Sequence, residues 1–168
     1  MKIVYFDVED YETKFLKKHN ENKFTYFLER SPLNDITKIN PQYIDAEIIS
    51  VFTSSQITKS VLKQFTNLKL IALRSVGYNN IDIDFCKKNS IQVVNSPNYG
   101  NITIAEFALA LLLDVCRHVT KSNTEFKNGK VCPNNLIGTE LSGKNIGIVG
   151  LGAIGSAFAK IAYGLNMN

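Results

Sequence analysis

The sequence predicts an α/β protein: a parallel sheet followed by the beginning of a second α/β unit. Short apolar runs alternate with segments of helical spacing over residues 1–96, which is typical of parallel strands joined by right-handed crossovers. A long apolar helical segment follows Pro97. Near residue 150 an apolar strand pattern runs into a glycine-rich turn and another helical pattern.

The first 96 residues supply five strands and three helices. Apolar, β-rich runs predict strands at residues 2–7, 23–29, 47–52, 68–73 and 91–95. Helical spacing predicts helices at residues 11–19, 57–65 and 81–89. We therefore place a first domain at residues 1–96.

Residues 97–143 form an interdomain segment of two helices and a loop. Thr103 and Glu106 have the spacing of a capping box, which predicts Thr103 as the N-cap of a helix that ends near residue 118. A polar helix is predicted over residues 120–128. Asn, Gly and Pro then indicate a loop over residues 129–143.

Residues 144–168 match the start of a dinucleotide-binding domain. A strand at residues 145–149 turns through Gly150, Gly152 and Gly155 into a helix over residues 154–165. Gly150 permits the tight turn, Gly152 lets the backbone approach a pyrophosphate, and Gly155 lets helix and strand pack closely. The phosphates would bind the free N–H groups at the helix start, which includes Ala153 and Ile154.

The acidic residue that selects the ribose lies about 20 residues beyond this motif and is not in the chain. The cofactor is therefore predicted as NAD, with NADP left open. We expect the strand at residues 145–149 to have no strand of its own domain to pair with. Ile146, Ile148 and Val149 would then stay exposed, and residues 144–168 would be mobile in isolation or adhere to another chain.

Composition indicates an ordinary globular protein, with 45% hydrophobic and 20% charged residues. The net charge of +4 is dispersed, so we expect no nucleic-acid partner. Acidic residues interrupt the early apolar run, and the apolar stretch at 104–116 is too short to cross a bilayer, so we expect no signal peptide and no membrane partner.

Cys86, Cys116 and Cys132 are too widely spaced for a metal site or a disulfide framework. We interpret them as reduced thiols and predict a cytoplasmic location without a metal.

Three stretches together resemble the D-isomer-specific 2-hydroxyacid dehydrogenases, the family of D-lactate, glycerate and phosphoglycerate dehydrogenases. They are LKLIALRSVGYNNID (68–82), VNSPNYGNITIAE (94–106) and LSGKNIGIVGLGAIG (141–155). The resemblance implies a flavodoxin-like parallel-sheet substrate domain followed by the first βα unit of a truncated Rossmann domain. It also implies interconversion of small 2-hydroxyacids and 2-ketoacids with NAD, and a homodimer formed through residues 98–140.

The resemblance implies a role for several positions in the substrate and cofactor sites. The turn Ser75, Val76 and Gly77 would offer backbone N–H groups to the substrate carboxylate. The alternative is that Gly77 only permits a left-handed turn while Asp82 caps the next helix.

Tyr99 matches a tyrosine lining the cleft near the nicotinamide, although packing on the long helix would also explain it. Thr103 matches a position facing the cofactor, and residues 52–54 would lie at the cleft mouth and influence substrate size.

The family's catalytic histidine, its carboxylate partner and the arginine that grips the substrate belong downstream of the glycine motif. This chain has two histidines, His19 and His118, and both are interpreted as residues at helix ends. Arg74 and Arg117 do not match the catalytic arginine either, so no catalytic residue is assigned here.

Two functions stay open. The chain is a part of a D-2-hydroxyacid dehydrogenase that is inactive alone, or a non-catalytic binding or dimerisation module derived from that family. A transcriptional corepressor is a remote third possibility, because one corepressor group resembles the family.

Overall fold

A five-stranded parallel sheet organises the first part of the chain. Its strands are β1 (Lys2–Tyr5), β2 (Thr25–Leu28), β3 (Ile48–Val51), β4 (Leu70–Leu73) and β5 (Gln92–Val94). They lie in the order β2-β1-β3-β4-β5, and every neighbouring pair is parallel. The five predicted strands and the α/β class are thus confirmed.

The computed structural model describes residues 1–19, 24–36, 38–130 and 136–168. It divides into two compact units, Met1–Pro97 and Asn98–Asn168, which are described separately. The predicted further boundary at residue 143 stays a prediction. Residue 23 of the predicted second strand and Cys132 lie outside the described residues.

Three helices connect the strands of the first unit: α1 (Asp10–His19), α2 (Lys59–Leu62) and α3 (Ile83–Lys88). Helix α2 is shorter than the predicted 57–65. Ile57 cannot begin it, because its backbone bridges Ile81, accepting from Asp82 N–H at 2.9 Å. The other end tightens, since Phe65 N–H bonds to Leu62 O, three residues back, at 3.2 Å.

The core of the first unit lies on one face of the sheet. Val4, Ile49 and Ile71 are in register on adjacent strands and are fully buried. On the opposite face the in-register residues Ile48 and Leu70 are only half-buried. Burial at alternate positions follows from the two-residue period of strand side chains.

The second unit contains α4 (Asn101–Arg117), α5 (Val119–Lys127) and α6 (Ala153–Gly164). Helices α4 and α6 pack together, and each buries a small residue, Ala105 and Ala162. No helix among the described residues has the length and apolar character needed to cross a membrane.

The prediction of Thr103 as an N-cap is wrong. Helix α4 begins at Asn101 after the N-cap Gly100, without a side-chain cap, so Thr103 is the third residue of the helix. The earlier start is fixed by the backbone bond from Ile104 N–H to Gly100 O, at 2.9 Å. The hydroxyl of Thr103 therefore has no capping role.

Residues 145–149 do not form the predicted strand. Instead this segment pairs with the last residues, since Asn168 N–H donates to Lys144 O at 2.8 Å and Ile146 N–H donates to Asn168 O at 2.9 Å. This is the hydrogen-bond pattern of a single parallel bridge. The expectation of no pairing partner was wrong.

The exposure expected along this segment is only partly found. Val149 is fully exposed, as predicted, whereas Ile146 and Ile148 are half-buried. A methyl carbon of Ile148, Cγ2, lies 3.5 Å from where a Cβ on Gly155 would be. Helix α6 therefore shields this face of the segment although a sheet does not.

Candidate functional site

The turn Ser75–Gly77 after β4 has all three of its carbonyl oxygens engaged. Ser75 O accepts from Ser96 N–H at 3.0 Å, and Val76 O accepts from Asn95 Nδ2 at 2.8 Å. Gly77 O accepts from Ser75 Oγ at 2.9 Å. These bonds hold the turn from the end of β5 and from within.

The N–H groups of Val76 and Gly77 are left open. Among the described residues no acceptor lies within hydrogen-bonding distance of either nitrogen, and both residues are exposed. Adjacent unpaired N–H groups in a fixed turn form an anion-binding concavity. The arrangement can therefore receive a carboxylate without displacing an internal hydrogen bond.

The competing explanation for Gly77 fails, because its φ lies outside the left-handed region. A Cβ at this position would meet nothing within 4 Å, so the glycine leaves space above the turn. The expected cap is confirmed: Asp82 Oδ1 accepts from Phe85 N–H at 2.9 Å at the start of α3.

Arg74 joins the carboxyl ends of three strands beside this turn. Its guanidinium pairs with Glu12 Oε1 at 2.8 Å and donates to Ser50 Oγ at 3.0 Å. It also donates to Phe6 O at 2.8 Å and Asp7 O at 2.9 Å. Arg74 is thus committed to internal partners.

Asp7 follows β1 and is held in the left-handed region, at φ 57°. Its Oδ2 accepts from Ser55 Oγ at 2.6 Å, from Ser55 N–H at 3.0 Å and from Phe52 N–H at 3.3 Å. The loop after β3 is therefore anchored to the loop after β1.

In the second unit, the glycine motif has the geometry the sequence predicted at two positions. Gly150 adopts φ 97°, which only glycine adopts readily. A Cβ on Gly155 would lie 2.0 Å from Gly150 O, so α6 can pack on the preceding segment only with glycine there. Gly152, the N-cap of α6, has nothing within 4 Å of its Cβ position.

The start of α6 fits a phosphate-bearing dinucleotide. Ala153 and Ile154 are exposed, and among the described residues their N–H groups have no acceptor. Such groups at a helix start attract a pyrophosphate through hydrogen bonds and the helix dipole. Gly152 leaves room for that approach.

Tyr99 and Thr103 lie at the beginning of α4. Tyr99 is 64% exposed, so the alternative that it packs on the long helix is not supported. Thr103 is exposed on the first turn of α4. Both side chains are accessible to a ligand of the second unit.

Each histidine has a local structural role. His19 Nδ1 lies 2.9 Å from Phe15 O at the end of α1, and its ring stacks on Phe15 with centroids 4.2 Å apart. His118 adopts φ 55° and joins α4 to α5. Nearby, hydrogen bonds from Thr120 lower the pKa of the Asp114 carboxyl.

The described cysteines carry no site. Burial raises the pKa of the Cys86 thiol, and Cys86 and Cys116 are both free. Within the described ranges, no three His, Cys, Asp or Glu residues are grouped as metal ligands would be.

The sequence analysis missed Asn95, Ser96 and Asp7. The first two follow β5, whose carboxyl end adjoins that of β4, so the parallel sheet order alone would have placed them beside the turn. Asp7 follows the central strand β1, but nothing in the sequence marks its left-handed conformation.

Comparison with known proteins gives one consistent result. The sequence model of the family described as "D-isomer specific 2-hydroxyacid dehydrogenase, catalytic domain" matches residues 3–162. A 2-hydroxyacid dehydrogenase homolog of Zymomonas mobilis is 32% identical over 100% of this chain and 51% of its own length. A hydroxypyruvate reductase of Blautia hydrogenotrophica is 35% identical over 83% of this chain and 45% of its own.

A solved structure agrees. A D-lactate dehydrogenase from Aquifex aeolicus, complexed with NAD and lactic acid, superimposes with a TM-score of 0.87 at 26% identity. The match covers 98% of this chain and 49% of that one. The chain thus spans about half the length of the relatives it matches.

Proposed function

Because this chain belongs to the D-isomer specific 2-hydroxyacid dehydrogenases, we propose that it forms the acid-binding part of an enzyme that interconverts D-2-hydroxyacids and 2-ketoacids with NAD. Its second unit contributes the first βα unit of the coenzyme-binding part. The observation that carries the proposal is the turn Ser75–Gly77, whose carbonyls are engaged and whose N–H groups at Val76 and Gly77 are open.

The turn suits a carboxylate common to all such acids. Two backbone donors stabilise negative charge without an opposing side-chain charge, and charge-assisted hydrogen bonds are about twice as strong as neutral ones. The groups that vary between acids would face the loop at residues 52–54. The family's substrates share the 2-oxygenated carboxylate, and the rest of the molecule distinguishes them.

For the coenzyme, the structure supports the pyrophosphate contact only. Gly150, Gly152, Ala153, Ile154 and Gly155 would hold the phosphates, and Tyr99 and Thr103 would contact other parts of the dinucleotide or substrate. When bound, the nicotinamide supplies the hydride acceptor or donor. The residue that discriminates NAD from NADP is not in the chain, so the choice of NAD rests on the family.

The proton transfer needs groups that this chain does not arrange. His19 and His118 are engaged at helix ends, and Arg74 is committed to internal partners. We therefore assign the catalytic histidine, its carboxylate and the arginine to polypeptide outside residues 1–168. The alternative, a non-catalytic binding module, predicts the same acid site but no gain of activity from such a segment.

Titration with oxalate, a small dicarboxylate resembling the acid end of the substrate, tests the binding turn. We expect the backbone amide resonances of Val76 and Gly77 to shift in 15N–1H spectra with a millimolar Kd. Ser75→Ala should weaken oxalate binding about fivefold, because one net hydrogen bond of about 1 kcal/mol no longer closes the turn.

Ser122→Ala, at an exposed serine of α5, is the matched control and should leave the Kd unchanged. Amide shifts confined to other residues, with Val76 and Gly77 unmoved at saturation, would refute the proposal for this turn.

We also propose that a second copy of the chain covers an apolar stripe on α4, within the predicted contact at residues 98–140. The stripe consists of Ile104, Phe107, Leu111 and Val115, each between 47% and 72% exposed. Spacings of three and four residues put them on one side of the helix. An exposed stripe of large apolar side chains indicates a protein contact.

Leu111→Asp should dissociate this dimer, raising the dimer Kd at least 100-fold, because it places a charge in the centre of the apolar contact. Sedimentation equilibrium measures the change. Gln56→Asp, at an exposed site of the first unit, adds the same charge elsewhere and should leave the dimer intact. A monomeric parent chain at 100 times the expected micromolar Kd would disprove the stripe as an interface.

A further inference from the structure

We propose that Arg74 and Asp7 are positioning residues that set which size of acid the site accepts. They act through Phe52, whose ring and backbone they hold at the carboxyl end of β3. The inference rests on the proposed function, since it concerns selectivity at the same acid-binding turn.

Arg74 fixes Phe52 from the side of the ring. The guanidinium carbon lies 5.9 Å from the centre of the Phe52 ring, within the range of a cation–π contact. Arg74 is itself immobile, because its nitrogens donate to Glu12, Ser50 and the backbone. The guanidinium and Glu12 are 20% and 18% exposed, so the pair is largely shielded from water.

Asp7 fixes Phe52 from the side of the backbone. Its carboxylate accepts from Phe52 N–H and from both donors of Ser55, while Asn80 Nδ2 donates to Phe52 O at 3.2 Å and Ser55 O at 2.8 Å. Both ends of residues 52–55 are therefore tied down.

Arg74 also holds Asp7 itself. The bond from Arg74 Nη2 to Asp7 O, at 2.9 Å, stabilises the left-handed conformation that aims the Asp7 carboxylate at the loop. A non-glycine residue in this conformation costs free energy that its surroundings must offset. The two residues form one device: Arg74 orients Asp7, and Asp7 orients the loop.

This device is separate from the hydrogen bonds that hold the carboxylate turn. Ser75–Gly77 is closed by Ser75 Oγ and by Asn95 and Ser96 after β5, none of which contacts Asp7. Loss of Asp7 should therefore loosen the loop near the variable end of the acid while leaving the carboxylate contacts in place.

The test compares D-lactate with D-3-phenyllactate, which share the acid group and differ in size, and adds oxalate as a reference. Asp7→Gly removes the carboxylate and keeps the backbone conformation, because glycine adopts φ 57° freely. We expect the ratio of the phenyllactate Kd to the lactate Kd to fall about tenfold, with the oxalate Kd changed less than twofold. Kd values come from amide shifts in 15N–1H spectra.

Two further variants sharpen the result. Asp7→Asn keeps an acceptor oxygen and tolerates the left-handed region, so it should restore the parent ratio within twofold. Arg74→Lys can pair with Glu12 but cannot make the remaining contacts together, so it should shift the ratio in the same direction as Asp7→Gly.

An unchanged ratio in both Asp7→Gly and Arg74→Lys would overturn the inference. Equal weakening of all three ligands would also overturn it, because a purely structural role predicts that outcome. Absence of any oxalate shift at Val76 and Gly77 in the parent chain would instead refute the proposed function, and the inference with it.

Discussion

The 168-residue chain alone is expected to oxidise no NADH with pyruvate, hydroxypyruvate or glyoxylate. Joined at residue 168 to the remaining half of the Zymomonas mobilis relative, it should turn these acids over. The reason is that general acid–base catalysis alone contributes about 10²–10⁴ in rate, and the chain holds its histidines in local structural contacts. We expect the fused protein to exceed the chain by at least about 10⁶, the lower end of enzymatic rate enhancements.

Absorbance at 340 nm measures NADH oxidation, with the relative's second half alone as the control; it too should be inactive, because it lacks the acid-binding turn. Turnover by the 168-residue chain at a rate comparable to that of the fused protein would contradict the account. An inactive fusion that still binds NAD would favour the non-catalytic module.

Gly155→Ala should destabilise the second unit by about 3 kcal/mol, the upper end of the cost of overpacking. The added Cβ would lie 2.0 Å from Gly150 O and 3.1 Å from Gly150 C, which are backbone atoms that no side-chain rotation can move. Helix α6 must then shift away from residues 146–150. Hydrogen exchange should show faster exchange of the α6 amides, while the amides of β4 stay protected.

Gly147→Ala is the matched control. A Cβ there meets nothing within 4 Å, and its φ is not in the left-handed region. The same methyl group should therefore change α6 exchange by less than about 0.5 kcal/mol, as is usual for surface substitutions. Equal effects of the two substitutions would show that close packing at Gly155 is not what holds the helix.

Local patterns predicted most of the first unit. Strands β1 to β5 were recognised because apolar, β-rich runs are sequence-local signals, and each lies inside its predicted range. The end of α2 was mispredicted because Ile57 is recruited by Ile81, a contact across 24 residues of sequence (81 minus 57) that periodicity does not reveal.

Competing local signals misled the prediction in the second unit. The Thr103 and Glu106 spacing is a real capping signature, yet the backbone bond to Gly100 O starts α4 earlier. Residues 145–149 have the composition of a buried strand, but strands require partners, and only Asn168 supplies one. Gly150 and Gly155 were predicted correctly because their requirements are steric and local.

The candidate acid site was predicted only as a turn. Sequence identified Ser75, Val76 and Gly77 through the family resemblance, and the structure adds why the turn is rigid. Its partners Asn95 and Ser96 are brought beside it by the pairing of β5 with β4. Such long-range contacts are set by the sheet, so no pattern within the turn could reveal them.

A crystal structure of the chain with oxalate tests the central claim most directly. The account predicts one carboxylate of oxalate within 2.7–3.2 Å, the usual N–H···O range, of the backbone nitrogens of Val76 and Gly77. Oxalate bound elsewhere on the first unit, with those two nitrogens bonded to protein acceptors, would contradict it.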